Sequence, residues 1–591
     1  MGHALGYVVA ALCILAVAYR TYGVFFVRKI LKADDSRPTP SHLFADGKNY
    51  VPTRKWATAG QHFAAIAAAG PLVGPVLAAQ FGFFPGFVWL LAGAVIGGAV
   101  HDSVVLFASM KLRGLSLSEV AKAELGPLAG ACTGLAMLFI ITVTMAGLSM
   151  VVVNALEQNP WGTFAVFAIV PIAIALGLNE HYRGVSKLAT AIAVAAAIAG
   201  VLAGPYVKHT LLGEWLLLNK QTLSFILPVY AFLMSALPVW LLLTPIGYLS
   251  SYIKVGVFAA LIAGVLLVNP AIHFPAVMTQ FAGGGPVIAG PVWPFVSITI
   301  ACGAISGFHA FVGSGVTPKI IDKWSDILPV AFGSMLMESL VGVMALVAAC
   351  SLHPEDYFAI NAAPAVFTKL GLATVDLPRF IREIGIDLSG RTGGAVTLAV
   401  GMTNIFTALP WFRSLAAYFF QFVVMFEAVF ILTAVDSGTR IARYLLQDLG
   451  GAFYAPLKKV DWVPGMLATS FLACLLWGYL LASGDIASIW ALFGVSNQLM
   501  ASVGLIVGAT VILRLSQKRR YMLTCLVPLA YLFVTVYTAG IWMIRHIYLN
   551  PAAKGYNPFN GSITVIELVL GAVILAAALP HWLRPRQEAM V

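Results

Sequence analysis

Apolar positions run in long blocks along nearly the whole chain, separated by short polar connections. Blocks of about 18 residues or more span roughly 30 Å of hydrocarbon as helices, whereas membrane strands alternate over about ten residues. The pattern therefore predicts an all-α polytopic membrane protein of about fifteen transmembrane helices. One block departs from the rest: "QHFAAIAAAGPLVGPVLAAQ", Gln61 to Gln80, has a histidine near one end and two Gly/Pro pairs in its middle. Proline removes a backbone hydrogen bond, and hydrocarbon offers no water to the freed carbonyls. Such a break persists only where protein, water or a ligand satisfies it.

A second block, "GFHAFVGSGVTPK", Gly307 to Lys319, has the same ingredients, and nine positions separate both His62 from Pro71 and His309 from Pro318. Basic residues set direction, because they are retained on the cytoplasmic face. Arg28, Lys29, Lys32, Arg37, Lys48, Arg54 and Lys55 place one loop inside and the extreme N-terminus outside. Lys111, Arg113 and Lys122, then Arg183 and Lys187, then Lys254, then Lys319 and Lys323 follow on the inner side. Keeping Arg440, Arg443, Lys458 and Lys459 inside as well requires a re-entrant segment near 393–409; "RLSQKRR" and the terminal "RPR" then also fall inside. The first broken helix thus runs outward and the second inward. Oppositely directed broken helices mark an inverted-repeat transporter with its substrate at the midplane.

This divides a single membrane domain, 1–591, into an extra N-terminal helix (1–30), a first repeat (56–204), intervening helices (221–270), a second repeat (292–513) and C-terminal helices (521–583). The polar stretch from Ser351 to Arg391 reads as a loop or partly re-entrant segment.

Composition narrows the class. The 591 residues are 60% hydrophobic and 10% charged, far from a soluble domain. The net charge of +11 is spread over short loops, as topology signals are, and gives no nucleic-acid surface. The first run, Leu5 to Val27, lacks a basic leader and a cleavage site and reads as a retained helix. Six cysteines without CxxC pairing read as small hydrophobes, and no closed metal site is evident; no cofactor is expected.

Within the broken segments, Gly70, Gly74, Gly313 and Gly315 would let backbone approach a ligand, and Pro71, Pro75 and Pro318 would fix the breaks, with Ser314 and Thr317 beside them. Half-helix N-termini attract a carboxylate and the opposing carbonyls a cation; plain helix packing explains small residues equally. His62, His309 and Glu338 are the proton-coupling candidates, being ionisable groups in apolar runs. Satisfied core histidines are the competing reading. His101 and Asp102 suit a proton relay or an interface anchor, Glu427 is a weaker acidic candidate, and Lys319 an inner-face anchor. Asn497 and Gln498 suit substrate or interhelical hydrogen bonds.

The run "KNYVPTRKWATAGQHFAAIAAAGPLVGPVLAAQFGFFPGFVWLLAGAVIGGAVHDSVVLFASM" resembles the N-terminal signature of the carbon starvation protein A family. The resemblance continues through "SGFHAFVGSGVTPKIIDKWSD", "GSMLMESLVGVMAL", "HPEDYFAIN", "GRTGGAVTLAVGM", "DSGTRIARYLLQDLGG" and "IWALFGVSNQLMASVGL". It implies an inner (plasma) membrane transporter for nutrient scavenging, of peptides or of pyruvate with protons, grouped with the amino acid, polyamine and organocation transporters and so LeuT/APC-like in fold. Val316 stands where that family commonly has a threonine, which removes any hydroxyl contact there.

The function expected is secondary uptake of a small nutrient, a peptide coupled to protons, with a pyruvate-sized monocarboxylate as the alternative. A peptide would be held at both ends, its carboxylate by half-helix N-termini and its ammonium by carbonyls or Glu338. The partners are that substrate, a coupling ion and the bilayer; the sequence carries no mark of oligomeric state. No phosphate-binding loop supports an ATP-driven pump, no nucleophile or metal constellation an enzyme, and no soluble signalling domain a nutrient sensor.

Overall fold

The computed structural model describes residues 2–583 except 48, 49, 68, 185, 452, 460, 461, 485, 517 and 554. The topology signals at Lys48, Arg584 and Arg586 lie outside the described residues. Among those described the chain is helical throughout, with only isolated bridges such as that between Thr53 and Ile321. Among the described residues twelve helices are long and apolar enough to cross a membrane, and the bent pair Lys55–Ile66 and Gly70–Phe81, at 47°, makes a thirteenth if it is one span. The 17-residue helix Lys220–Ala236 and the interrupted run from Val292 to Gly315 fall outside that criterion and account for the higher count expected from apolar blocks.

Pro127–Leu156, Trp324–Cys350 and Ser488–Leu515 are the most buried spans and form the centre of the bundle. Lys187–Val207 sits at the rim, exposing Leu188, Ile192, Ile198 and Leu202, as a lipid-facing helix must. The stretch following Cys350 folds into three short helices, Pro354–Asn361, Pro364–Leu370 and Leu377–Ile384. Ala395–Thr407 is a 13-residue apolar helix, too short to span hydrocarbon alone.

The two broken segments lie against each other in the buried interior. A Cβ on Gly70 would come within 2.3 Å of Cys302 Sγ, and one on Gly74 within 2.5 Å of the Thr299 carbonyl. Their outer ends are joined as well: Val51 N–H donates to the Lys319 carbonyl and Thr53 N–H to that of Ile320. The chain therefore enters the first segment at the end where it leaves the second, so the two run in opposite senses.

One expectation is corrected. The second helix is not broken at Gly313–Pro318 but at 300–307, "IACGAISG", between Val292–Thr299 and Phe308–Gly315. His309 thus follows its break, whereas His62 lies in the half-helix Lys55–Ile66 that precedes the first break. The matched histidine-to-proline spacing is not a structural equivalence.

Candidate coupling and substrate site

Protein groups hold the second break open. Asn497 accepts from Phe308 N–H (2.8 Å) through its side-chain oxygen and from Gly307 N–H (3.0 Å) through its carbonyl. Its amide nitrogen reaches Cys302 Sγ at 3.3 Å. On the other side of the break, the Gln498 amide donates to the Ser297 carbonyl at 2.7 Å, the Trp490 indole to Thr299 and the Trp89 indole to Ile300, both at 3.3 Å. Side chains from other helices thereby satisfy backbone groups freed on both sides of the break. Asn497 is spent on this capping and Gln498 on one carbonyl, although Gln498 Oε1 is buried without a partner.

Beneath the break lies a chain of ionisable side chains. His101 Nδ1 lies 2.8 Å from Asp102 Oδ1; Asp102 Oδ2 lies 2.8 Å from His309 Nδ1; His309 Nε2 lies 3.0 Å from Glu338 Oε2. The last contact has ion-pair distance but lies off the N–H axis, so it is no hydrogen bond. All four side chains are at most 2% exposed. His101 and Asp102 are buried within the Phe83–Lys111 span, and Gly504 of the facing helix makes room for His101: a Cβ there would meet its Nε2 at 2.4 Å. His62 belongs to the same region through Thr317, whose Oγ1 is 2.7 Å from His62 Nδ1. His62 Nε2 and His101 Nε2 are buried without hydrogen-bond partners.

Other candidates are placed differently. Gly70, Pro71, Gly74 and Pro75 are buried in the contact between the broken segments. Gly313 faces Val105 at ordinary contact distance, and Gly315 has open space. Ser314 Oγ bonds to the Ala310 carbonyl and to Leu117 N–H, and Pro318 is buried in a single 3₁₀ turn. Lys319 is half-buried over the Tyr50 ring. Glu427 is buried with neither carboxylate oxygen hydrogen-bonded. Among the described residues no three His, Cys, Asp or Glu side chains converge as a metal-ligand set.

Lys254, one of the basic residues expected on the inner-side loops, lies instead within the Leu243–Val268 span and is 4% exposed. Its ammonium donates to the Ala64 carbonyl at 2.8 Å, in the last turn of the half-helix Lys55–Ile66, and sits 3.6 Å from the centre of the Phe430 ring. A lone charge inside an apolar run of this length was the available signal. Arg440 and Arg443 are likewise not loop anchors: they lie within the helix Ala416–Gly450 and donate to the carbonyls of Met234, Leu237 and Ser235. Sequence reasoning also passed over Asp436, at the head of the "DSGTR" motif, which accepts from Tyr230 Oη at 3.0 Å.

Lys254 lines a cavity of about 370 Å³ between the two broken segments and the helices Leu243–Val268 and Ala416–Gly450. Gln61 and Ala65 contribute from the first segment, Phe311 and Val316 from the second, and Ser437 from the long helix. Val316, where a hydroxyl is common in the resembled family, presents an apolar contact to this space.

Residues 3–539 match the family described as Carbon starvation protein CstA. The chain is 66% identical to the peptide transporter CstA of Bacillus subtilis over 97% of this chain and 96% of the relative. It is 39% identical to the pyruvate/proton symporter BtsT of Escherichia coli, over 94% of this chain and 83% of that one. A crystal structure of a manganese transporter mutant from Eremococcus coleocola aligns at 11% identity with a TM-score of 0.42, covering 90% of this chain and 97% of that one, a likeness too low to carry weight. On the extent of the family match and of the identity to these transporters, this multi-pass membrane protein belongs to the carbon starvation protein CstA family.

Proposed function

We propose that the protein is a proton-coupled secondary importer of short peptides in the inner (plasma) membrane, with its substrate in the cavity beside Lys254. The observation that carries this reading is the buried His101–Asp102–His309–Glu338 chain next to two broken helices. Two carboxylates beside two imidazoles can take up a proton that changes their summed charge, and burial in hydrocarbon rewards the neutral sum. Loading and release of that proton would then bias which way the bundle opens, as a differential affinity for two states must.

Lys254 supports the substrate assignment. Its ammonium answers the carbonyl end of the first half-helix, the end that attracts cations. That leaves donors for a ligand carboxylate in a cavity within the about 300–1,000 Å³ range of small-molecule sites. The identity to a relative named as a peptide transporter favours peptides. A small monocarboxylate is favoured by one feature: among the described residues no acidic side chain lines the cavity to meet a peptide ammonium. Glu338 does not line it. The pseudo-two-fold relation of 56–204 and 292–513, the re-entrant path near 393–409 and the LeuT/APC-like fold belong to the same proposal.

The test is competition in proteoliposomes under an imposed proton gradient. Free short peptides should compete with labelled substrate and amino-blocked ones poorly; strong inhibition by pyruvate with indifference to blocking would establish the monocarboxylate reading. Lys254→Met should weaken uptake of either class at least about tenfold through loss of a buried charge contact.

A further inference from the structure

Four membrane spans end around a second cavity, of about 390 Å³, that the transport site does not use. Leu31 and Lys32 follow the Ala4–Ile30 span, Phe107 and Lys111 close the Phe83–Lys111 span, Trp324 opens the Trp324–Cys350 span, and Leu515 ends the Ser488–Leu515 span. Asp34 and Arg37 complete the lining.

Three cations, Lys32, Arg37 and Lys111, face one carboxylate there. Asp34 is already engaged by Ser36, through N–H at 3.0 Å and hydroxyl at 2.8 Å, and sits 3.6 Å from Arg37. Lys32 spends one donor on the Leu515 carbonyl at 3.3 Å. The loop is pinned rather than loose: Asp35 accepts from Ser325 N–H at 2.7 Å and from its hydroxyl at 2.6 Å, which ties it to the turn carrying Trp324. Trp324 itself is 9% exposed and stacks edge-on against Phe107, yet its indole N–H is buried without an acceptor. Trp324 lines the cavity, and an orphaned donor on a lining residue together with the excess positive charge calls for an anion. Leu31, Phe107 and Leu515 give the same cavity an apolar side at the level where spans end, and a lipid headgroup meets both kinds of surface at that level.

We propose that this cavity binds the phosphate of an anionic phospholipid, with Lys32, Arg37 and Lys111 supplying charge and Trp324 a hydrogen bond. The site binds lipid independently of which solute the protein carries.

The test uses the full chain purified in uncharged detergent, with unfolding temperature followed against added phosphatidylglycerol, phosphatidylcholine or inorganic phosphate at constant ionic strength. Phosphatidylglycerol should raise the unfolding temperature of the wild type and phosphatidylcholine should not. Its half-maximal concentration should rise roughly tenfold when Lys32→Gln and Lys111→Gln are combined. Trp324→Phe, which keeps the ring and removes the donor, should weaken it several-fold, and native mass spectrometry should show fewer retained phosphatidylglycerol molecules on that variant. An equal response to inorganic phosphate at the same concentrations, lost in the same variants, would overturn the lipid source and leave a free-phosphate site. Equal responses to both lipids, or responses unchanged in all variants, would overturn the site altogether.

Discussion

The hydroxyl of Thr317 and Nδ1 of His62 lie 2.7 Å apart, although 255 residues separate them along the chain. The contact bridges the half of the first broken helix that precedes its break to the turn that follows the second. Thr317→Val keeps the shape and removes the hydroxyl, which strands a buried imidazole whose Nε2 already lacks a partner. The expected cost is about 1–3 kcal/mol, read as a lower unfolding temperature, with Thr317→Ser restoring it. An unchanged melting curve for the valine variant would show that the contact contributes nothing.

Removing a titratable member of the buried chain should separate coupling from reorientation. His309→Gln and Glu338→Gln are expected to lower gradient-driven accumulation by about tenfold or more, the range general acid–base groups command. Counterflow exchange should remain measurable, because exchange needs the loaded carrier to move but no net proton transfer. Wild-type accumulation in both variants would take these residues out of the mechanism.

Asn497 holds the second break open by capping Phe308–Gly315. Asn497→Ala leaves Phe308 N–H and Cys302 Sγ without that side chain and is expected to cost about 1–2 kcal/mol. Thermal unfolding of the purified variant measures it directly. A substrate-contact role would instead raise KM with stability unchanged.

Glycines in the two segments should differ sharply in tolerance. Gly74→Ala places a methyl 2.5 Å from the Thr299 carbonyl, a clash with backbone expected to cost about 1–3 kcal/mol and to reduce folded yield. Gly315→Ala meets nothing within 4 Å and should be near neutral. Equal yields of the two variants on size-exclusion chromatography would contradict the packing described.

His273, in the connection after the Leu243–Val268 span, stacks near His353; burial first, then the charge of that neighbour, hold its imidazole below the usual 6.5, against the opposing pull of Asp376. Above 6.5 both folded and unfolded chains carry it neutral. As pH falls below 6.5 the unfolded chain takes up a proton that the folded chain resists, so stability is lost downward toward the lower folded value. Wild-type unfolding temperature should therefore fall more between pH 7.5 and about 5.5 than that of His273→Gln. Parallel pH profiles would remove His273 from the linkage.

The transporter reading, the helical class and the residue types able to carry a proton were legible in the chain, because hydrocarbon thickness and the cost of burying charge act on local sequence. His62, His101, Asp102, His309 and Glu338 stood out for that reason alone. Their order along one chain of contacts was not legible: the sequence left His101 and Asp102 open between a proton relay and an interface anchor, and only the packing of the Phe83–Lys111 helix between Gly504 and His309 aligned them.

The second break shows why local signals end where they do. Gly313, Gly315 and Pro318 carry the composition of a break, yet the helix unwinds at 300–307 because Asn497, Gln498, Trp89 and Trp490, all remote in sequence, satisfy the backbone there. Lys254 repeats the lesson in charge: counted among basic residues it marked a loop, whereas the carbonyl of Ala64 and the ring of Phe430 make its burial tolerable. Sequence by itself determined which segments must leave water. Tertiary structure decided which polar groups inside them meet, since a buried hydrogen-bonding group is stable only beside a partner that the fold brings to it.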